Sequence, residues 1–204
     1  MPQQASTYHH GDLRAACVRA ARELLEEDGS AALSLRAVAR RAGVSATAPY
    51  RHFADRDALL SAVAAQGCRE LGERLVAAHP APRAPEDLAA VAAAYVRFAV
   101  ERPALFRVMF AEPCDPANAE RAAATEAMRE YVGAIVHDVF PGSDCEAMGT
   151  AVWALVHGLA FLQLDGKLGA AGPAGDPAAV TADPAVTDER VRAAVDALLG
   201  TVRR

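Results

Sequence analysis

The feature that most constrains this chain is a run near its start in which an apolar helical pattern stops abruptly at a glycine. Leu35, Val38 and Ala39 recur at helical spacing and predict a short helix with one apolar face. Ser34 stands directly before them, where an N-cap residue is expected. Gly43 follows where the helix must end, because glycine adopts the left-handed conformation of a C-terminal cap without steric strain. The pattern predicts two helices joined by a tight turn, a helix-turn-helix.

The second helix of this motif is predicted to run from Ala46 to about Phe53, with Ser45 as its cap. Its first turn carries only small side chains, so the backbone can approach base edges in the major groove of DNA. Pro49 is the unfavourable residue, since it lacks an amide donor, but a proline near the first turn is tolerated. Asp55 is expected to cap the helix that follows.

Polar groups on this segment have the chemistry needed to hold DNA. Thr47 can exchange a hydrogen bond with a base edge. Tyr50, Arg51 and His52 can reach phosphate groups. Arg56 opens the next helix, and its guanidinium together with the free amides of that helix predicts a further phosphate site. The segment therefore predicts one base-reading position followed by several phosphate contacts.

The charge of the chain is distributed unevenly, and the distribution agrees with this interpretation. The net charge of −5 would by itself argue against a nucleic-acid partner. Residues 29–56, however, contain five arginines and one aspartate, whereas residues 57–204 contain 13 basic and 20 acidic side chains. A basic patch confined to the motif of an otherwise acidic protein is typical of sequence-directed DNA binding.

The run from Leu13 to about Ala65 resembles the N-terminal domain of TetR-family transcriptional regulators. The residues that carry the likeness are Leu35-Arg36-Ala37-Val38-Ala39, Ala42-Gly43-Val44-Ser45 and Tyr50-Arg51-His52-Phe53. In that family the first turn of the recognition helix meets bases, and the tyrosine, the histidine and the next basic residue meet phosphate. The resemblance therefore implies DNA contacts by Arg36, Ser45, Ala46, Thr47, Ala48, Tyr50, His52 and Arg56. The opening residues 8–14 are similar to one branch of the family, so the paired histidines there are not interpreted as a tag or a metal site.

Beyond the motif every periodic segment is helical and no stretch alternates like a strand, which predicts an all-α fold. An N-terminal three-helix helix-turn-helix DNA-binding domain is expected in residues 1–56. An α-helical ligand-binding and dimerisation domain is expected in residues 57–204, joined to the first by a long helix that begins at Arg56. A mobile loop is predicted at about 169–185, which is rich in Gly, Ala and Pro.

An apolar segment of 18 residues without formal charge lies between Glu146 and Asp165 and reaches the lower length limit of a membrane span. His157 in its middle and acidic residues at both ends favour burial in protein instead. Together with the last helix, this segment can pair with the same two helices of a second copy in a two-fold four-helix interface. Such a homodimer would place two recognition helices about 34 to 36 Å apart, in successive major grooves of a palindromic site.

The pattern Trp153-x-x-x-His157-Gly158 resembles the C-terminal domain of one TetR branch, named for tryptophan, histidine and glycine, over roughly residues 95–167. Members of the family usually hold an effector inside this domain, so the resemblance implies a mainly apolar pocket with a few polar anchors. For each large side chain taken alone, simple packing in the core is the commoner role. The candidate effector-binding residues are Tyr95, Phe98, Phe106, Met109, Phe110, Met128, Tyr131, Trp153, His157 and Phe161.

The function predicted is therefore a TetR-like transcriptional regulator, a repressor released by a small, mainly apolar effector. The four cysteines are too widely spaced for a metal or redox motif, and no catalytic or cofactor-binding fingerprint is present. We therefore expect no enzyme activity, no metal and no cofactor. Reduced thiols and the lack of an apolar signal region predict a cytoplasmic protein. The alternatives are a helical dimer that has lost DNA binding, one with a redox-sensing cysteine, and a small-molecule enzyme.

Overall fold

The computed structural model describes residues 10–111, 115, 117–168 and 184–199. Within these ranges the chain forms eight α-helices and no strand, which confirms the all-α prediction. The helices are α1 (His10–Asp28), α2 (Leu35–Arg41), α3 (Arg56–Ala78), α4 (Leu88–Glu101), α5 (Pro103–Phe110), α6 (Ala119–Val139), α7 (Cys145–Leu164) and α8 (Pro184–Leu199), with 3₁₀-helices at Ser30–Ala32, Pro49–Arg51 and Pro85–Asp87. The mobile loop predicted at about 169–185 lies outside the described residues up to position 183, and Pro184 already begins α8.

The chain divides into two compact units. The first unit comprises Met1–Gln66 and Ala104–Ala122, and the second comprises Gly67–Pro103 and Ala123–Arg204. Helices α3 and α6 therefore each begin in the first unit and continue into the second. The division between residues 56 and 57 that the sequence suggests stays a prediction.

The turn after α2 has the geometry that its sequence predicts. Ser34 caps α2, because its hydroxyl accepts a hydrogen bond of 3.2 Å from the amide of Ala37. Gly43 has a φ of 69°, in the left-handed region, and the amide of Val44 bonds the carbonyl of Ala39 at 3.0 Å. The left-handed residue reverses the chain immediately after α2 and directs residues 45–53 away from the axis of that helix.

Residues 46–53 do not form the α-helix that was predicted for them. They form a turn followed by the single 3₁₀ turn Pro49–Arg51. The physical reason is Pro49, which has no amide to donate to the carbonyl of Ser45 and whose ring crowds that carbonyl in an α-helix. The amides of His52 and Phe53 instead both bond the carbonyl of Pro49, at 2.9 and 3.0 Å. The recognition segment is therefore short and irregular.

Helix α4 is the central element of the second unit, and both α7 and α8 pack against it. Eight of its residues are buried, among them Ala92, Ala93 and Ala99, whose small side chains let neighbouring helices approach closely. Its Arg97 forms an ion pair of 3.2 Å with Asp188 of α8. The core of the second unit is therefore built around one apolar helix.

Helix α7 is covered by the rest of the chain on one side only. By length and composition it is apolar enough to cross a membrane, yet only 17% of its apolar window is buried within this chain. Leu159, Ala160 and Gln163 are buried, whereas Leu162 is 40% exposed. The expectation that this helix is buried in protein is therefore not met by a single copy, because α4 can cover only one of its faces.

The left-handed turn generates a stability prediction. Replacing Gly43 by alanine forces a Cβ-bearing residue into the left-handed region, which costs about 1 to 2 kcal/mol. The matched control is Gly133→Ala inside α6, where a Cβ meets nothing within 4 Å and φ is not positive, so this change is expected to be neutral or stabilising. Urea unfolding of both variants measures the difference. Equal stability of the two variants would show that the turn does not require glycine.

Candidate functional site

Three arginines of the first unit carry charges that nothing in the described structure neutralises. Arg36 and Arg40 on α2 and Arg51 in the 3₁₀ turn are exposed. None of the three forms an ion pair with another residue of the described ranges. The sequence predicts DNA contacts by Arg36 and Arg51. It does not predict one by Arg40, although the place of this residue on the polar face of α2 could have indicated it. Unpaired guanidinium groups of this kind attract phosphate.

Arg41 differs from these three because its charge is already used inside the unit. Its guanidinium donates hydrogen bonds to both carboxylate oxygens of Glu27 and lies 3.4 Å from a carboxylate oxygen of Glu23. The hydrogen bonds from Arg41 lower the pKa of Glu27. This arginine therefore ties the end of α2 to α1 and contributes little free charge to the surface.

Arg56, predicted as a phosphate contact, has a structural role in this chain. Its Nη2 donates to the carbonyl of Ser30 at 2.8 Å, and its Nε donates to the carbonyl of Leu33 at 3.2 Å. These bonds tie the start of α3 to the segment that leads into α2. Asp55 caps α3 as predicted, with Oδ1 accepting from the amide of Ala58 at 2.8 Å.

The turn that precedes the 3₁₀ helix presents three of its four small residues to solvent. Ser45, Ala46 and Thr47 are exposed, and the hydroxyls of Ser45 and Thr47 lie 3.4 Å apart. Ala48, also predicted to meet DNA, is buried with 9% of its surface exposed. Ser45 was predicted to cap the next helix through its hydroxyl. The amide of Ala48 instead bonds the backbone carbonyl of Ser45, at 2.9 Å.

The end of the recognition segment is held by aromatic contacts. Tyr50 is 51% exposed, whereas the Nε2 atom of His52 is buried and bonds no atom of the described residues. Phe53 is buried, and the guanidinium carbon of Arg14 lies 5.6 Å from the centre of its ring. Arg14 also pairs with Glu120 at the start of α6. No local pattern could predict this positioning role, because residues 14, 53 and 120 are distant along the chain.

The second unit contains an apolar cavity of about 50 Å³. Fifteen residues of α3, α4, α6, α7 and α8 line it, and all of them are uncharged. Four of the predicted effector-binding residues are among them, namely Tyr95, Met128, Tyr131 and Trp153. The residues that line the cavity therefore come from five helices that are distant from one another in the sequence.

An aromatic cluster adjoins the cavity and accounts for two further predicted residues. The hydroxyl of Tyr95 lies 2.9 Å from Nδ1 of His157, a hydrogen-bond distance. The His157 ring stacks on Trp153 with 5.5 Å between centroids and meets Phe161 edge-on at 4.8 Å. Burial lowers the pKa of His157, so the ring is neutral near pH 7. His157 and Phe161 lie beside the cavity and are absent from its lining.

The other predicted effector residues lie elsewhere. Phe98 is fully buried in α4, and Phe106, Met109 and Phe110 belong to α5 of the first unit. Within the described residues no group of three or more His, Cys, Asp or Glu side chains is arranged to hold a metal ion. Cys17 and Cys68 are buried and Cys145 is exposed, while Cys114 lies outside the described residues.

Comparisons with known proteins cover both parts of the chain. Residues 18–63 match the family model described as bacterial regulatory proteins, tetR family, and residues 88–188 match the one described as Tetracyclin repressor-like, C-terminal domain. A solved structure of a protein of unknown function from Rhodococcus sp. RHA1 is 35% identical, with a TM-score of 0.72 over 96% of both chains. A bacterial regulatory protein in the tetR family from Rhodococcus RHA1 has a TM-score of 0.60 at 23% identity, covering 90% of this chain and 95% of that one.

A curated relative, HTH-type transcriptional regulator Rv1816 from Mycobacterium tuberculosis, is 28% identical over 137 residues. That alignment covers 64% of this chain and 58% of the relative, so it spans little more than half of the relative's length. A helix-turn-helix whose arginines 36, 40 and 51 form no ion pair within the described residues, together with a helical unit that holds an apolar cavity, is typical of DNA-binding regulators. The chain belongs to the TetR family of transcriptional regulators.

The arginine pairings generate a prediction about DNA binding. Replacing Arg36 or Arg51 by alanine is expected to weaken binding on every sequence and to lower the slope of log affinity against log salt by about one ion each. Arg41→Ala removes the same formal charge, but that charge is already paired, so its effect on the slope is expected to be smaller. Fluorescence anisotropy with a labelled duplex at several salt concentrations measures all three variants. An Arg41 effect equal to that of Arg36 would contradict the distinction between paired and free arginines.

Proposed function

We propose that this TetR-family regulator is a repressor that occupies a palindromic DNA site as a homodimer and leaves it when a small, mainly apolar effector fills the cavity. The observation that carries this proposal is that Arg36, Arg40 and Arg51 are exposed and form no ion pair with any residue that the structure describes, in the same unit as the exposed turn at 45–47. Phosphate contacts by these arginines and base contacts by Thr47 would hold the duplex. Occupancy of the site then excludes the transcription machinery.

The homodimer is supported by the uncovered face of α7. Ala151, Ala154 and Leu162 are exposed along this face. A Cβ placed on Gly158 in the same helix would meet nothing within 4 Å, so a second helix can approach closely there. On α8, Val186 and Leu198 are 50% and 57% exposed. A second copy that presents the same two helices would bury both apolar faces in a two-fold interface.

A protein partner covers this face better than a membrane does. His157 lies in the middle of α7, and Asp165 and Lys167 follow its end. In a membrane, the polar ring of His157 would lie within the hydrocarbon, and Asp165 and Lys167 would lie at one surface without the basic cluster that anchors spanning helices. We therefore infer a cytoplasmic homodimer.

Coupling between effector and DNA is supported by two continuous helices. In α3, Arg56 bonds the segment before α2, while Leu75 of the same helix lines the cavity. In α6, Glu120 pairs with Arg14 and Met128 lines the cavity. An effector that displaces Leu75 or Met128 would change the spacing of the two recognition segments and so favour release.

We infer that the cavity binds its ligand without chemical change. Burial raises the pKa of Tyr95 and lowers the pKa of His157, which makes the first a weaker acid and the second a weaker base. Among the described residues that line the cavity there is also no Ser, Thr, Cys, His, Lys, Asp or Glu side chain to act as a nucleophile or a general base. Membership of the branch named for tryptophan, histidine and glycine stays a prediction, as do the effector-binding roles of Phe98, Phe106, Met109, Phe110, His157 and Phe161.

The direct test of the proposed function is selection of bound duplexes. The protein is mixed with fragmented genomic DNA from the organism that encodes it. Bound fragments are sequenced after washes at increasing salt concentration. The proposal predicts enrichment of one inverted-repeat motif, with retention that falls as salt rises. Retention of no duplex at low salt, or retention without any common motif, would contradict it.

The dimer interface generates a further prediction. Ala154→Arg places a long charged side chain on the uncovered face of α7 and is expected to yield monomers, because an unpaired buried charge costs several kcal/mol. The control is Ala134→Arg, the same change at an exposed alanine of α6. Sedimentation velocity gives the oligomeric state, and anisotropy gives the affinity for a two-half-site duplex. A dimeric Ala154→Arg variant with unchanged DNA affinity would place the interface elsewhere.

A further inference from the structure

The cavity of the second unit offers a ligand no charged partner. Its lining consists of Leu, Val, Ile, Ala, Met, Tyr and Trp side chains, with no Lys, Arg, His, Asp or Glu among the fifteen residues. Transferring a carboxylate or an ammonium group from water into such surroundings is strongly unfavourable without a partner charge. The lining therefore selects against anionic and cationic ligands.

One polar atom in this lining is left without a partner. The hydroxyl oxygen of Tyr131 is buried and forms no hydrogen bond with any residue of the described ranges. Burial also raises the pKa of Tyr131, so the phenol keeps its proton and remains a hydrogen-bond donor. A buried hydroxyl without a partner is unfavourable, and a ligand oxygen would supply that partner.

The second tyrosine of the lining differs from Tyr131 in this respect. The hydroxyl of Tyr95 lies within hydrogen-bond distance of Nδ1 of His157, at 2.9 Å. Its hydrogen-bonding capacity is therefore partly met inside the protein. The two tyrosines face the same cavity but only one of them lacks a partner.

We propose that the effector is an uncharged, mostly hydrocarbon molecule with one hydroxyl or carbonyl oxygen, and that this oxygen accepts a hydrogen bond from the Tyr131 hydroxyl. This inference rests on the proposed role of the cavity as the effector site. The cavity of about 50 Å³ is smaller than a six-membered ring requires, so binding must move the lining helices α4, α6 and α7 apart around the hydrocarbon part, while the single oxygen fixes its orientation. Tyr131 is thereby the residue that discriminates an oxygen-bearing ligand from a plain hydrocarbon.

Four molecules of one ring size test the proposal: cyclohexanol, cyclohexane, cyclohexanecarboxylate and cyclohexylammonium. Trp153 lines the cavity and is the only tryptophan of the chain, so its fluorescence reports occupancy directly. Titrations use the free full-length protein at pH 7. Cyclohexanol and cyclohexane are expected to bind, and the carboxylate and the ammonium compound are expected to bind at least about a hundredfold more weakly than cyclohexanol.

The residue-specific test is Tyr131→Phe, which keeps the ring and removes only the hydroxyl. This variant is expected to lose about threefold to tenfold in affinity for cyclohexanol and to bind cyclohexane as well as the wild type does or better. The matched control is Tyr95→Phe, which removes the same group from a hydroxyl that already has a partner. It is expected to keep the wild-type ratio of cyclohexanol to cyclohexane affinity. Thermal unfolding verifies that both variants fold.

Three results would overturn the proposal. They are binding of a charged analogue as tight as that of cyclohexanol, unchanged cyclohexanol affinity in Tyr131→Phe, and no fluorescence response of the wild type to cyclohexanol up to its solubility limit. Because these titrations contain no DNA, they are independent of the duplex selection. A protein that retains a duplex but fails the ligand titrations would contradict only the ligand class, whereas one that passes the titrations but retains no duplex would contradict the proposed function.

Discussion

The architecture of the second unit depends on one constraint: helix α7 is apolar around most of its circumference, and α4 can cover only one side of it. The covered side supplies Trp153 and Val156 to the cavity. The uncovered side remains exposed to water, where an apolar surface of this length is unfavourable. The same helix therefore accounts both for an internal space that can hold a ligand and for a face that a second copy can bury. A dimer in turn suits a DNA site with two half-sites.

In the first unit the arginines divide into those that are paired within the fold and those that are exposed. Charge that serves the fold is paired internally, since Arg41 bonds Glu27 and Arg56 bonds two backbone carbonyls. Arg36 and Arg51, in contrast, form no ion pair with the part of the chain that the structure describes. The recognition segment begins with Ala46, Thr47 and Ala48 and so presents few polar side chains. Under the proposed function, sequence preference would depend on Thr47 together with DNA shape and half-site spacing, whereas the arginines would supply affinity.

Local signals predicted the parts of the structure that depend on neighbouring residues. The Ser34 cap, the left-handed Gly43 and the Asp55 cap each depend on positions within four residues of each other, and the structure confirms all three. The helical form of residues 46–53 was predicted wrongly, because the motif outweighed the missing amide of a single proline. The hydrogen bonds of Arg56 within the first unit show what local signals could not predict, while its phosphate contact and the effector contacts stay predictions. Contacts between distant segments, such as Arg56 with Ser30, leave no periodic trace in the sequence.

The central claim is that two copies of this chain hold one duplex through two recognition segments. Hydroxyl-radical footprinting of the wild-type protein on its selected duplex tests this claim most directly. Two copies on one duplex give two protected patches related by two-fold symmetry, with centres separated by about one helical turn, or about 34 to 36 Å. A single protected patch, or two patches without symmetry, would contradict binding by two recognition segments.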